Sequence, residues 1–344
     1  MPSRRRRRPP WARLNDQALL DLRLCDLGLR LEQSPLRHPV ARLHRELAGR
    51  GLRFRPHCWL SEEWFSPDGV PGIALPFYLA HPRLEKLEAR QMFEVEGGTD
   101  AWCMQLLRHE AGHAIDTAFR LHRRRRWQQL FGRHDRPYPR HYTPNPKSRN
   151  YVLHLEWWYA QSHPCEDFAE TFAVWLRPQS SWRRDYNGWG ARRKLEYVDE
   201  LMRSLAGRTP PVRSRRQVEP ITRNRKTLRE HYGEKRAHYG IDIPEMYDAE
   251  LRRLFPQAPA AGRRRRSAGA FLRKLRPEIC RICARGTGEH PYAIAQIVQE
   301  MVHRCRKLRL YLTRPEQETL TDIAIFVAVQ ALKSLHASQY RVAL

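Results

Sequence analysis

Leu106-Leu107-Arg108-His109-Glu110-Ala111-Gly112-His113-Ala114-Ile115-Asp116 is the stretch from which the rest of the chain is read. Residues four apart on an α-helix lie one above the other, so His109 and His113 share a face and can grip one metal ion as neutral nitrogen ligands. Glu110 then falls beside the ion, where a carboxylate can take a proton from a bound water. The flanking Trp102, Met104, Leu106, Leu107, Ala111, Ala114, Ile115 and Ala118 read as a mostly buried helix over about 99–121. Unpaired histidine and glutamate would enter such a helix only at a cost, which favours a metal over two surface histidines.

A third ligand is sought further on, in Tyr159-Ala-Gln-Ser162-His163-Pro164-Cys165-Glu166-Asp167-Phe168-Ala169-Glu170. Ser162 and Pro164 suit a helix start, a hydroxyl to cap free amides and a proline for the first turn. Phe168, Ala169, Phe172, Ala173 and Leu176 give that helix its apolar stripe, and Glu166 and Glu170 stand one turn apart on a common side. One carboxylate can reach the metal while the other holds a ligand; the residues alone leave open which does which. Trp157, Trp158 and Tyr159 read equally as core aromatics, His163 as a turn residue, and Asp116, one turn after His113, as a solvated helix charge or else a partner that orients a ligand.

These residues resemble the gluzincins, in which an HExxH helix is completed by a glutamate on a later helix. The E-x-x-A-E form with a tyrosine seven residues ahead looks like the lethal-factor-type branch. Ser162 to Ala173 closely resembles the bacterial family called "putative zinc-binding metallo-peptidase". The resemblance implies one Zn2+ per chain held by His109, His113 and Glu166. It also implies Glu170 as the carboxylate that orients His109, Glu110 as general base, and Tyr159 as donor to the oxyanion. Tyr151, Tyr142 and His154 stand as alternative donors. The implied activity is hydrolysis of an amide bond in a peptide or protein by a metal-activated water. The stretch over roughly 100–176 carries the likeness.

Around this core the expected class is α+β: a mainly helical zincin-like metallopeptidase domain with a small antiparallel sheet, plus a C-terminal helical bundle. Helical periodicity runs through 13–50, and strand-like segments follow at 52–59 and 72–80. The second of these, with its prolines, reads as an edge able to take an extended substrate. Residues 134–150 read as a long loop, and a helix is expected at 191–206. Further helical stretches are expected near 223–238 and 244–255, and three amphipathic helices at 268–284, 291–312 and 315–338. The expected divisions are a disordered basic tail over 1–12, the metallopeptidase domain over 13–255, a linker over 256–267 and a helical domain over 268–344.

Composition sets the outer limits. An apolar fraction of 41% with ten tryptophans describes a globular chain, not a disordered one. No run approaches a bilayer span, and the N-terminal arginines have no apolar segment behind them, so a secretory signal is not expected. Seven scattered cysteines point to a reducing cytoplasm and not to a disulfide framework. Cys280 and Cys283, with His290, His303 and Cys305, match no standard zinc-finger spacing and read as buried thiols.

Lys and Arg number 63 against 37 Asp and Glu, a formal net charge of +26, with arginine runs at 4–8, 123–126 and 263–266. Such a surface attracts polyanions, although arginine-rich codon usage produces the same excess and no nucleic-acid-binding motif accompanies it. Two other functions therefore stand beside the peptidase: a basic nucleic-acid-associated protein with a structural or vestigial zinc site, and a zinc amidase acting on a non-protein substrate.

Overall fold

A computed structural model describes residues 9–92, 95–139, 141–238, 247–256, 266–287, 291–336 and 342–343. They fall into two units. The first draws on Met1–Pro137, Arg149–Leu155 and His163–His238, and the second on Tyr138–Ser148, Glu156–Ser162 and Tyr239–Leu344. The arginine run at 4–8 and most of that at 263–266 lie outside the described residues, as does His290.

In the first unit the longer elements are α1 (Arg37–Gly49), β1 (His57–Ser61), β2 (Gly72–Pro76), α2 (Pro82–Gln91), α3 (Asp100–Phe119), α4 (Pro164–Leu176), α5 (Ala191–Leu205) and α6 (Leu228–His238). The chain is ordered within the span suggested as a tail: Pro10–Arg13 is a 3-10 turn whose buried Trp11 donates from Nε1 to the Leu27 carbonyl at 2.9 Å.

The small sheet is parallel, not antiparallel as its sequence suggested. β1 pairs with β2 in register His57 to Gly72 through Ser61 to Pro76. The place a hairpin partner would take is filled by the connection itself, where the Ala74 amide donates to the Phe65 carbonyl at 2.8 Å in an antiparallel bridge. β1 therefore lies along the other side of β2. All five β2 residues are buried and Ala74 is flanked on both sides, so the middle of this strand is not a free edge for a peptide. Phe77–Ala80, expected as more strand, is a buried 3-10 turn.

α3 covers most of the helix expected around the HExxH motif, starting at Thr99, whose hydroxyl accepts from the Trp102 amide at 3.2 Å. It is buried on nearly all sides, packed by α1, β2 and α4, and α4 packs in turn against α5. Buried Arg108 forks onto Glu46 of α1 through two contacts of 2.8 Å, so even the charge next to His109 is partnered.

α4 begins one residue away from the expected cap. His163, not Ser162, occupies the N-cap: its Nδ1 accepts from the Cys165 amide at 3.2 Å while its Nε2–H donates to the Arg136 carbonyl at 2.7 Å. A ring fixed at both nitrogens caps the helix and ties it to the turn ending at Arg136. The Ser162 hydroxyl donates instead to the Tyr159 carbonyl.

The second unit contains α7 (Ala268–Thr287), α8 (Pro291–Lys307) and α9 (Glu316–His336), packed on one another over an apolar interior that includes Phe271, Ile279, Ile297, Val298, Met301 and Val327. A two-residue antiparallel pair joins His141–Tyr142 to Val342–Ala343. Cys280, Cys283 and Cys305 are buried free thiols, and Cys283 donates to the Ala324 carbonyl at 3.2 Å. Among the described residues no helix is long and apolar enough to cross a membrane.

Candidate metal centre

α3 and α4 cross where neither carries a large side chain. A Cβ added to Gly112 would lie 2.7 Å from the Ala169 Cα and 3.0 Å from its carbonyl oxygen, so the pair of helices can approach this closely only with glycine there. This contact gives Gly112 of the HExxH segment and Ala169 of the E-x-x-A-E segment their purpose. Ala169 reads from sequence only as part of an apolar stripe, and Gly112 carries no such cue. A glycine lodged inside a helix, which costs about 1 kcal/mol relative to alanine, was the available signal.

The close crossing brings three donor atoms into an equilateral triangle. His109 Nε2, His113 Nε2 and Glu166 Oε2 are each 3.1 Å from the other two. Donors sharing one tetrahedral ion through bonds of about 2.0–2.1 Å stand roughly 3.3 Å apart, so the triangle suits Zn2+ with little movement. All three residues are buried or nearly so, and among the described residues they form one of two groups able to hold a metal.

The tautomer of His109 follows from its other nitrogen. His109 Nδ1 is 2.8 Å from Glu170 Oε1, so a proton on Nδ1 is held by that carboxylate, and the neutral ring that a metal ligand requires would present its Nε2 lone pair to the centre. Glu170 Oε2 accepts from the Leu155 amide at 2.8 Å, which fixes the carboxylate in turn. The two glutamates left open by the sequence thus stand apart: Glu166 meets both imidazoles at their Nε2 atoms and Glu170 touches His109 from behind.

Electrostatics express the same convergence. Burial opposes charge on His109, but hydrogen bonds to Glu166 and Glu170 outweigh it and hold its pKa well above the ordinary value. Burial likewise opposes charge on Glu166, and the two histidines overcome it, holding its carboxyl well below the usual range. A buried carboxylate that prefers ionisation between two imidazoles is what a cation site requires. Glu110 behaves differently. Burial raises its pKa, and its Oε2 is buried with no hydrogen-bond partner among the described residues. An orphaned carboxylate oxygen beside three converging donors fits a group awaiting a proton donor.

Other residues singled out by the sequence are placed as follows. Tyr159 belongs to the second unit, in the turn Glu156–Gln161, where Trp157 and Trp158 adopt left-handed φ values of 62° and 54°. Tyr142, in the same unit, donates its hydroxyl to the Trp157 carbonyl at 2.7 Å. His154 is committed to α3: its Nε2 lies 3.0 Å from the Gln105 carbonyl, and the Gln105 amide donates back to the His154 carbonyl. Burial lowers its pKa, so it stays neutral, with Nε2–H donated to that carbonyl. Tyr151 lies under the Lys194 ammonium at 4.2 Å. Asp116 is not a solvated charge but a buried one, accepting from the His122 amide at 2.7 Å and facing His122 Nδ1 at 2.8 Å.

Residues 104–183 match the family model described as "Putative zinc-binding metallo-peptidase". The matched segment spans HExxH, Tyr159, Glu166 and Glu170. No curated protein and no solved structure matches the chain.

Proposed function

We propose that the protein is a zinc-dependent peptidase of gluzincin type, with one Zn2+ per chain held by His109, His113 and Glu166. The reading rests above all on the 3.1 Å triangle of donor atoms next to the unpartnered Glu110 Oε2. When bound, zinc supplies a Lewis acid that acidifies a water and polarises the substrate carbonyl. Glu110 takes the proton of the attacking water and passes it to the leaving amine; its raised pKa eases that exchange. Glu170 holds His109 in the tautomer that leaves Nε2 free. The family resemblance, and not a distance, makes Tyr159 the candidate donor to the oxyanion.

A structural zinc is commonly closed by four protein ligands and has no use for an orphaned base beside it, which argues against a nucleic-acid-associated protein with a vestigial site. A non-protein amide would be cleaved by the same groups. All seven cysteines are free, in keeping with a reducing, cytoplasmic location. The arginine-rich surface adds a polyanion-binding role that proteolysis does not exclude.

The test is Glu110→Gln. It should retain one zinc per chain while losing the new peptide termini that wild type generates in a cell lysate. Undiminished cleavage would remove Glu110 as the base, and wild type yielding no termini beyond those of the variant would argue against a peptidase. Tyr159→Phe should lower turnover without changing metal content.

A further inference from the structure

At the C-terminal end of α3, one turn beyond His113, a second set of donors converges that the peptidase reading does not use. Asp116 lies in the last turn of α3, His122 in the 3-10 turn Leu121–Arg123, and His134 just after the short helix Arg125–Phe131. The His122 and His134 rings stack with centroids 4.0 Å apart and planes inclined by 25°. One potential ligand atom from each of the three residues lies within 4.8 Å of the others. Asp116 is buried, whereas both imidazoles are partly open to solvent, so the group has a preset carboxylate and a route of entry for an ion.

We propose that Asp116, His122 and His134 form a second site for a divalent transition ion, distinct from the first and weaker than it. Two imidazoles and one carboxylate are a donor set matched to Zn2+ and its neighbours and poorly matched to Ca2+ or Mg2+, which take oxygen ligands. The Asp116–His122 contact of 2.8 Å holds a proton that the ion displaces on binding, while water completes the open side. The exposed arginines at 123–126 repel a cation, so this site fills after the first.

The location gives the ion a consequence for the first site. His134 belongs to the turn that packs on the start of α4: a Cβ on Gly132 would lie 3.1 Å from Pro164 Cγ, and the Arg136 carbonyl accepts from His163, the α4 cap. An ion bridging Asp116 and His134 braces the end of the helix that carries His109 and His113 against the turn that seats the helix carrying Glu166.

The experiment is a zinc titration of the full chain, stripped of metal by chelation and followed by calorimetry and by metal content. Wild type should bind two equivalents, the second more weakly. His134→Asn, a change at a partly exposed turn, should bind one fewer while keeping the tighter event. Glu166→Gln should lose the tighter event, keep the weaker one, and still rise in melting temperature when zinc is added. Adding His134→Asn to Glu166→Gln should abolish that rise. Equal stoichiometry in wild type and His134→Asn overturns the second site even where the first is intact. A weaker event surviving in Glu166→Gln, with no tight event in wild type, would sink the peptidase centre and leave this inference standing.

Discussion

Two pairings of helices in this molecule use the same secondary structure to opposite ends. α7, α8 and α9 pack Phe271, Ile279, Ile297, Val298 and Met301 into an apolar interior, and the charge buried there, Arg304, is forked onto Asp248. α3 and α4 instead bury Arg108, His109, Glu110, Asp116, Glu166, Asp167 and Glu170 within about two turns of each helix. Each of those groups loses solvation on folding, and most recover it from a named partner: Arg108 from Glu46, Glu170 from His109 and Leu155, Asp167 from Lys194 at 2.6 Å. Glu110 Oε2 recovers nothing among the described residues. The first pairing serves stability; the second gives up stability to hold reactive groups together.

The contrast breaks most visibly at Gly112. Gly112→Val places carbon against the Ala169 backbone, and should destabilise the first unit by about 3 kcal/mol or more while zinc content falls to near zero. A folded, zinc-replete variant in metal analysis would show that the close crossing is dispensable. Next in size, Glu170→Gln should weaken zinc binding about 10–100-fold, because the amide no longer enforces the His109 tautomer. Competition with a chelator reads this directly.

In the bundle, Ile297→Val should cost about 1 kcal/mol in thermal unfolding with no change in zinc stoichiometry. Zinc loss there would mean that the two pairings do not act separately. An effect of similar size, but dependent on pH, is expected at Glu62. Burial opposes its ionisation, but His231 and Lys226 draw its pKa down from 4.5 to about 2. A lowered folded pKa contributes stability that is fully present above about 4.5 and is lost as pH falls through about 2. Glu62→Gln should therefore lower the melting temperature near neutral pH by the equivalent of about 1 kcal/mol, and the gap to wild type should close across that acid window. A gap independent of pH would assign the loss to packing.

What could be read from residue order is what the helical period controls. His109 and His113 must share a face, Glu166 and Glu170 must share another, and an apolar stripe must accompany each, because those relations hold within one or two turns of a single helix. The three bundle helices were legible for the same reason, with ends displaced by up to a few residues. The cap of α4 was misread by one position because Ser162 and His163 both offer an acceptor. Only the turn ending at Arg136, distant in sequence, selects the imidazole.

Tertiary structure decided everything that depends on two segments meeting. Whether Glu166 or Glu170 faces both imidazoles is set by the rotation of α4 against α3, and that rotation is set by Gly112 resting on Ala169. The parallel direction of β1 and β2 follows from the connection at Phe65 taking the antiparallel side of β2, which no alternation of residues along either strand encodes. Asp116 looked like an ordinary surface charge until the chain folded His122 back over it. Local dihedral preferences write the elements into the sequence; the approach of one element to another is a sum of many small packing terms, and its outcome appears only once the whole is assembled.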